Sequence, residues 1–589
     1  MRLPHIQRGL WSCSLVLTAI LAPVAAQQPS ASLVEADKDY REGVAALNRN
    51  DLKTAQSKFE SVTRLAPSAE QGHSALGAVL VREGQWAMGT RELEKALALK
   101  PDDASAQMNL AMVYAESGAA AKAVPLFAKL QAAANAEHHP LPPSVLAAYA
   151  RALAATGDKA SATARMKEAV AEDPGNPALH DELGSLYAQD KDWQHAEQQL
   201  SEAIRLKPDL ASTHLRLGFV LQAEQNADAP REWIKAYTLA PDDPRIALAV
   251  GKALADAGED QQAVPILEHA VKLEPASALA GYQLAVVLQR VNRVPEAIHL
   301  LKSVVEAEPK NVDALTNLGM ALSQQHEARD AVPYLQRAIA LKPKDATAHQ
   351  DLAAAYIQIN QIADAIAELK TAIALSPASP QLHYDLGAAY KLQDDAADAI
   401  PELEKAEKLN PEGYEAPYVL GQLYMQVARY PEAAQQLEAS LKLHPENGDG
   451  WATLGSVYNK LDRLPEAVHA LREAARLLPD QADSHLILAS VLVKQNQTAE
   501  AAEERRIAAN LMRAHMNLQR AEVATNSGKS LMSSGKLDDA VIQFRDAITF
   551  DPQYAEAHLA LATALQKQGK TAEAEAERAQ AKSLGNPAR

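Results

Sequence analysis

The sequence predicts an all-α solenoid, one helix hairpin repeated along nearly the whole 589-residue chain. Three observations carry this. Proline returns every 34 residues at Pro275, Pro309, Pro343, Pro377, Pro411, Pro445 and Pro479, and the beat extends outward through Pro67, Pro101, Pro174, Pro208 and Pro241. Each period holds two stretches of apolar residues at helical spacing. Small residues recur at two fixed positions, one per stretch. A unit of this length buries its apolar face only by stacking on its neighbours.

The repeat ending at Pro411 shows each element in turn. Leu386, Gly387 and Tyr390 mark the first helix, and Ala399, Leu403, Ala406 and Leu409 mark the second. The turn between helices carries Gly84, Gly118, Gly157, Gly258, Gly535 and Gly569, with Asn50, Asn292, Asn360, Asn496 and Asp394 in other copies. These residues tolerate the left-handed backbone that follows a helix C-terminus. Pro295, Pro431 and Pro465 come two or three residues later, where a first-turn residue needs no amide donor. The periodic proline then stops the second helix.

The small positions are Gly184, Gly218, Gly251, Gly319, Gly387, Gly421 and Gly455 in first helices, and Ala196, Ala263, Ala297, Ala331, Ala365, Ala399, Ala433 and Ala467 in second helices. Larger side chains there would overpack the contact at a cost of about 1–3 kcal/mol. The copy with Trp451, Leu454, Gly455, Tyr458, Ala467, Leu471, Ala474 and Pro479 resembles the tetratricopeptide repeat, with Leu for Phe at one position. The resemblance implies a right-handed superhelical solenoid of about sixteen helix-turn-helix repeats.

Two copies depart from the beat. The steps from Pro101 to Pro174 and from Pro479 to Pro552 are 73 residues, one ordinary repeat plus a longer one. In the first, residues 132–143 read as an inserted loop. In the second, no proline or glycine occurs over 499–527, so the second helix of repeat fourteen runs into the first helix of repeat fifteen, with Ile507, Leu511, Ala514 and Leu518 on one face. The expected organisation is a signal peptide (1–26), a short linker (27–35), a main array of repeats one to fourteen (36–504), a connecting long helix (505–520) and C-terminal repeats fifteen and sixteen (521–589), with a change of superhelix direction at the long helix.

The N-terminus has the three parts of an export signal: Arg2 and Arg8, an apolar stretch over 10–23, and the small residues Val24, Ala25 and Ala26. A periplasmic or secreted protein is expected. The stretch is shorter than the roughly 20 residues of a spanning helix and contains Pro23, and no later segment reads as a membrane span. Cys13 is the only cysteine and lies within the segment expected to be removed. The formal net charge of −17 becomes −19 without Arg2 and Arg8. So acidic a chain repels phosphate backbones, and nucleic acid is not an expected partner.

Chemistry finds little support in these residues. There is no phosphate-cradling glycine loop, nucleophile elbow or zinc-protease helix, so neither a catalytic residue nor a cofactor is expected. His73, His180, His214, His349, His383, His485 and His558 share one early position of the first helix. They read either as a metal or pH-sensing ladder or as packing residues. Helices about 8–10 Å apart do not converge on one ion, which favours packing and no metal. His138 and His139 belong to the inserted loop and read as solvated.

The resemblance places positions 2, 5, 9 and 12 of each first helix on the concave face. Here they give Tyr282 and Val286 in repeat eight, Met320 in nine, Ile357 in ten, Tyr384 and Lys391 in eleven, and Tyr418, Gln422 and Met425 in twelve. This semi-apolar, aromatic set suits a peptide segment or partner helix. The same side chains could instead simply cover helix contacts. Asp313, Glu415, Asp449 and Asp483 at position 2 favour basic flanks on the partner, and equally suit any helix N-terminus. Tyr40 and Val44 stand where a chaperone-type carboxylate clamp needs Lys and Asn, and an asparagine ladder has only Asn109, Asn317 and Asn526. The expected function is a non-catalytic protein-interaction scaffold of the bacterial cell envelope. The alternative is a regulatory or assembly subunit of a separately encoded envelope enzyme, such as a polysaccharide synthase or export system or a peptidase.

Overall fold

The computed structural model describes residues 31–584. The expected signal peptide lies outside them. Among the described residues there are 31 helices, from Ala31–Asn48 to Thr571–Leu584, and no strand. They form the helix pairs of sixteen repeats, the last helix of repeat fourteen and the first of repeat fifteen being one continuous helix. The helix Ala31–Asn48 includes described residues of the segment expected to be linker. The chain divides into two compact units, the first ending at Arg293 and the second beginning at Val294. Within each unit a first helix packs on its own second helix, and that second helix on the first helix of the next repeat.

The hairpin turns follow from the left-handed residue. Gly84, Gly118, Gly157, Gly258, Gly535 and Gly569 all have positive φ, as do Asn50, Asn292, Asn360, Asp394 and Asn496. Asp462 and His326 adopt the same conformation, and so do Lys191, Gln225 and Ala428, which are not suited to it. The helix pair on either side holds each of them there. Asp and Asn caps then start many helices, Asn447 accepting from the Gly450 amide for instance.

Within a repeat, the closest approach is glycine on leucine. A Cβ added at Gly184, Gly251, Gly319, Gly387, Gly421 or Gly455 would lie 2.5–2.7 Å from Cγ of Leu200, Leu267, Leu335, Leu403, Leu437 or Leu471. The alanines of the second helices, Ala196, Ala263, Ala297, Ala331, Ala365, Ala399, Ala433 and Ala467, are fully buried. Between repeats, Tyr424 donates to Glu404 (2.5 Å) and Tyr458 to Glu438 (2.6 Å). Arg429 and Arg463 lie over those rings, 4.5 and 4.3 Å from the centroids.

The recurring histidines form a clamp rather than a ladder. Nε2 of His73, His180, His214, His349, His383 and His558 donates to the carbonyl of the periodic proline six residues earlier, at 3.0–3.2 Å. Their Nδ1 atoms meet Glu92, Gln199, Glu232, Glu368, Glu402 and Glu577 on the second helix at 2.5–2.8 Å. His485 makes the second contact to Glu504. In other repeats Trp451 Nε1 and Gln107 Nε2 donate to the same proline carbonyl, of Pro445 and Pro101. Among the described residues no three His, Cys, Asp or Glu side chains gather as a metal-binding group.

The two irregular repeats are more helical than the sequence suggests. Helix Ala120–Ala136 takes up the start of the 132–143 segment as an extra turn, leaving 137–142 as the connection, with exposed His138 at positive φ. The continuous helix spans Thr498–Ser533, well beyond 505–520 at both ends. Its first half buries Ala501 and Ala508, its second half Ala521, Ala524, Thr525 and Gly528. At about 100° per residue these sets lie nearly half a turn apart, so repeats fourteen and fifteen use opposite faces of one helix. Leu511 and Leu518 are half-buried between them, and Met512 and Met516 are exposed.

The glycine–leucine contact gives a direct prediction. Gly387→Ala should destabilise its repeat by about 1–3 kcal/mol, read as loss of hydrogen-exchange protection in Pro380–Leu392 and Ala396–Leu409. Combining it with Leu403→Ala should cost less than the two single effects added, because the second change removes the atoms that the new methyl meets.

Candidate functional site

Along a first helix, positions 2, 5, 6, 9, 12 and 13 fall within about a third of a turn, while positions 3, 4, 7, 8, 10 and 11 turn into the repeat and its neighbours. In repeat eleven the buried set is Leu382, His383, Leu386, Gly387, Ala389 and Tyr390. The remaining arc carries the candidate residues. Tyr282 and Val286 lie half-buried on helix Ala278–Arg290 of the first unit. Met320, Ile357, Tyr384, Lys391, Tyr418, Gln422 and Met425 belong to the second unit, Met320 exposed and the others half-buried. Ile357, Tyr384, Tyr418 and Met425 also pack against the buried cluster that includes Ala353, Leu386 and Leu420. Each of these side chains therefore both covers a helix contact and shows a surface outward.

Repeats eleven and twelve bring most of the set together. Lys391 Nζ donates to Gln422 Oε1 at 2.5 Å, and Gln422 also hydrogen-bonds Tyr418. Burial holds the Lys391 ammonium below its ordinary pKa. Burial raises the Tyr384 phenol, with Glu415, Asp385 and Tyr414 adding to the shift. Tyr418 is raised by burial and then by Asp449. Tyr384 and Tyr418 thus each have beside them a carboxylate from the start of the next repeat, Glu415 and Asp449. Asp313, Glu415, Asp449 and Asp483 are exposed, and none forms an ion pair among the described residues.

Two carboxylates at position 6 of consecutive repeats, Asp351 and Asp385, join the candidate residues; in sequence nothing distinguishes them from the other charged residues of these helices. Asp385 accepts from Gln350 Nε2 (2.6 Å) and Gln381 Nε2 (2.8 Å), and burial raises its pKa against those two bonds. Asp351 Oδ2 is buried without a hydrogen-bond partner. Burial, with a smaller contribution from Asp345, pushes its pKa up to about 6. The first unit closes equivalent contacts with cations: Arg216 Nη1 donates to both oxygens of Asp181 (2.6 and 2.8 Å), and Arg151 Nη1 to both of Glu182 (2.8 and 2.9 Å).

Family models described as tetratricopeptide repeat match residues 74–138, 148–211, 282–346, 418–482 and 453–511, and 380–412. A model described as TPR repeat matches 354–394 and 528–569. Together they cover more than half of the chain. Cellulose synthase operon protein C of Xanthomonas axonopodis pv. citri (strain 306) is 32% identical over 155 residues, 26% of this chain and 10% of that protein. Cellulose synthase 2 operon protein C of Komagataeibacter xylinus is 28% identical over 264 residues, 42% of this chain and 20% of that protein. The chain therefore spans a fifth or less of these relatives. Among solved structures, Cut9 with Hcn1 from the APC/C is 17% identical at a TM-score of 0.34, covering 78% of this chain and 96% of that one. YrrB, described as a TPR protein with an unusual peptide-binding site, is 22% identical at a TM-score of 0.29, covering 32% and 96%. No helix of the described residues is long and apolar enough to cross a membrane.

The raised acid makes stability depend on pH. A carboxyl with a folded-state pKa near 6, against an ordinary 3.8, binds its proton more tightly when folded, so its contribution is most favourable below about pH 4 and is lost as pH rises through 6. Asp351→Asn should raise the melting temperature by about 2–4 °C near pH 7.5, a difference that disappears near pH 4. Thermal unfolding followed by circular dichroism at the two pH values checks this.

Proposed function

Because the chain belongs to the tetratricopeptide repeat family, we propose that it is a non-catalytic scaffold that holds a peptide segment or helix of another protein against the exposed face of its first helices. The observation that carries this reading is the coupled group in repeats eleven and twelve: Tyr384, Tyr418, Lys391, Gln422 and Met425 share one arc, and hydrogen bonds fix several of them in place. Half-buried tyrosines have few rotamers left to lose on contact, so they suit the role of anchor. Ile357 and Met320 extend the same apolar character into repeats ten and nine. In repeat eight, Tyr282 and Val286 occupy the same positions.

The export signal read in residues 1–26 supports a place in the bacterial cell envelope, periplasmic or secreted. One observation favours the second reading, a regulatory or assembly subunit of a separately encoded envelope enzyme. Both curated relatives are named for a cellulose synthase operon, which makes a polysaccharide synthase or export system the first partner to test.

Partners should be captured by crosslinking in envelope extracts, identified by mass spectrometry, and their affinity measured for the parent chain and for Tyr384→Ala combined with Tyr418→Ala. A loss of about 30-fold or more in affinity, with the melting temperature shifted by only a few degrees, is expected. Unchanged affinity would place the partner elsewhere. Equal collapse of affinity and stability would make the tyrosines structural.

A further inference from the structure

Elsewhere in the array, one arc of each first helix is covered by the second helix of the repeat before it. A Cβ added at the third position, at Gly72 or Gly450, would lie 2.7 Å from Val62 or 3.0 Å from Leu441, each on the preceding second helix. Positions 7 and 10 fall on the same arc, and in repeat eleven all three, Leu382, Leu386 and Ala389, are buried. Gly528 holds the glycine position of repeat fifteen, packed on Phe544, so its residues on this arc are Val523, Ser527 and Ser530. All three are exposed, Val523 to 70%. A second helix that runs straight on into the next first helix does not also lie beside it, so a place that a helix fills elsewhere is open here.

The open arc continues into the preceding turns of helix Thr498–Ser533. At about 100° per residue, Ala509, Met512 and Met516 lie within about 40° of Val523, and they too are exposed, as is every residue from Met512 to Met516. Beside this narrow apolar seam stand Arg506, Arg513 and Arg520, spaced seven residues apart and therefore on one flank. Residues 505–520 hold four arginines and no carboxylate, in a chain of formal net charge −17. Arg505 and Arg513 form no hydrogen bond or ion pair among the described residues. Arg506 bonds the exposed Glu503 of its own helix, and Arg520 lies over the Phe550 ring, 5.8 Å from its centroid.

We propose that this face docks one amphipathic helix of a partner protein, its apolar seam over Ala509, Met512, Met516 and Val523 and its carboxylates at heptad spacing opposite Arg506, Arg513 and Arg520. This is a second surface and does not rest on the groove reading. Methionines suit it, because they repack against whatever apolar side chain arrives. Charge selects the occupant. An antiparallel second copy would set these arginines against one another, and a parallel one would offer Arg513 and Arg520 only Ala508 and His515. A lipid surface would need a broad apolar face, whereas Ile507, Leu511 and Leu518 lie across the helix from the seam. An acidic helix meets complementary charge here and repulsion over most of the remaining chain.

The test uses the full chain and a fluorescent helical peptide of about 21 residues, leucine at the seam positions and glutamate on the flanks, compared with its glutamine isostere by anisotropy at about 100 mM salt. The glutamate peptide should bind about tenfold more tightly. Arg506→Gln with Arg513→Gln and Arg520→Gln should remove most of that advantage. Arg205→Gln with Arg329→Gln and Arg476→Gln makes the same charge change on exposed positions of other second helices and should leave the advantage within about twofold. Met512→Ser with Met516→Ser should weaken both peptides by about tenfold at an unchanged melting temperature, since neither side chain is buried. The proposal is overturned if the two peptides bind alike or not at all, or if the control triple weakens binding as much as the site triple. It also falls if the site arginines bind vesicles of phosphatidylglycerol and phosphatidylcholine but not the glutamate peptide, or if sedimentation shows a dimer that the methionine variant abolishes. Tyr384→Ala with Tyr418→Ala should leave the peptide's affinity unchanged, so the groove reading and this one fail separately.

Discussion

The rest of the structure depends on how closely the two helices of each repeat can approach. A glycine in the first helix faces a leucine in the second at a distance that leaves no room for a methyl group: the Cβ that alanine would add at Gly319, Gly387, Gly421 or Gly455 falls 2.5 Å from a leucine carbon. That contact fixes the separation within the hairpin, and the fully buried alanines on the second helices let the helices pack at similarly short range. Once the hairpin is this tight, the same faces of each first helix always turn inward, and the same arc is always left over. The exposed arc is periodic because the glycine is periodic.

A second constraint acts at the boundary between repeats. The periodic proline leaves its own carbonyl to be satisfied, and in eight repeats the fourth residue of the next first helix supplies the donor: an imidazole in six, the Trp451 indole and the Gln107 amide in the other two. What unites these residue types is an N–H at the right reach rather than aromaticity. The histidine then turns its other nitrogen to a second-helix carboxylate, so one side chain ties the boundary to the hairpin that follows. A ring held by a contact at each nitrogen is a structural fastener, with both of its polar atoms already engaged.

Nearly all of the repeat could be read in the sequence because its determinants are local and recur many times. Proline stops, glycine and asparagine turns and the glycine and alanine contacts each have a one-residue signature, and sixteen copies average out the exceptions. The exceptions themselves were not legible. Nothing in Lys191, Gln225 or Ala428 announces a left-handed backbone; the neighbouring helices impose it. Residues 132–136 look like loop because two histidines and several prolines follow them, yet the alanine-rich segment simply continues its helix. The histidines could be placed on the packed side of the helix but not given their partners, since both partners lie on other segments. The candidate groove was legible as a set of positions, and its internal chemistry was not. The Lys391–Gln422 bond joins residues 31 apart, on the first helices of two repeats, so no local pattern announces it.

The contrast between the two units bears most directly on function. A solenoid's stability is close to a sum of local and nearest-neighbour terms, so an unfavourable group in one repeat weakens that repeat without dissolving the array. Pairing Asp351 or Asp385 with an arginine would be the simplest way to stabilise repeats ten and eleven, and the first unit uses that device at Asp181 and Glu182. The second unit instead leaves Asp351 half-buried, with one carboxylate oxygen buried and without a hydrogen-bond partner. Folding alone gains nothing from that arrangement, because a charge held out of water without a partner is a net cost. Because the cost stays within one repeat, a scaffold made of nearly identical repeats can carry such a departure at one particular place while its neighbours remain intact.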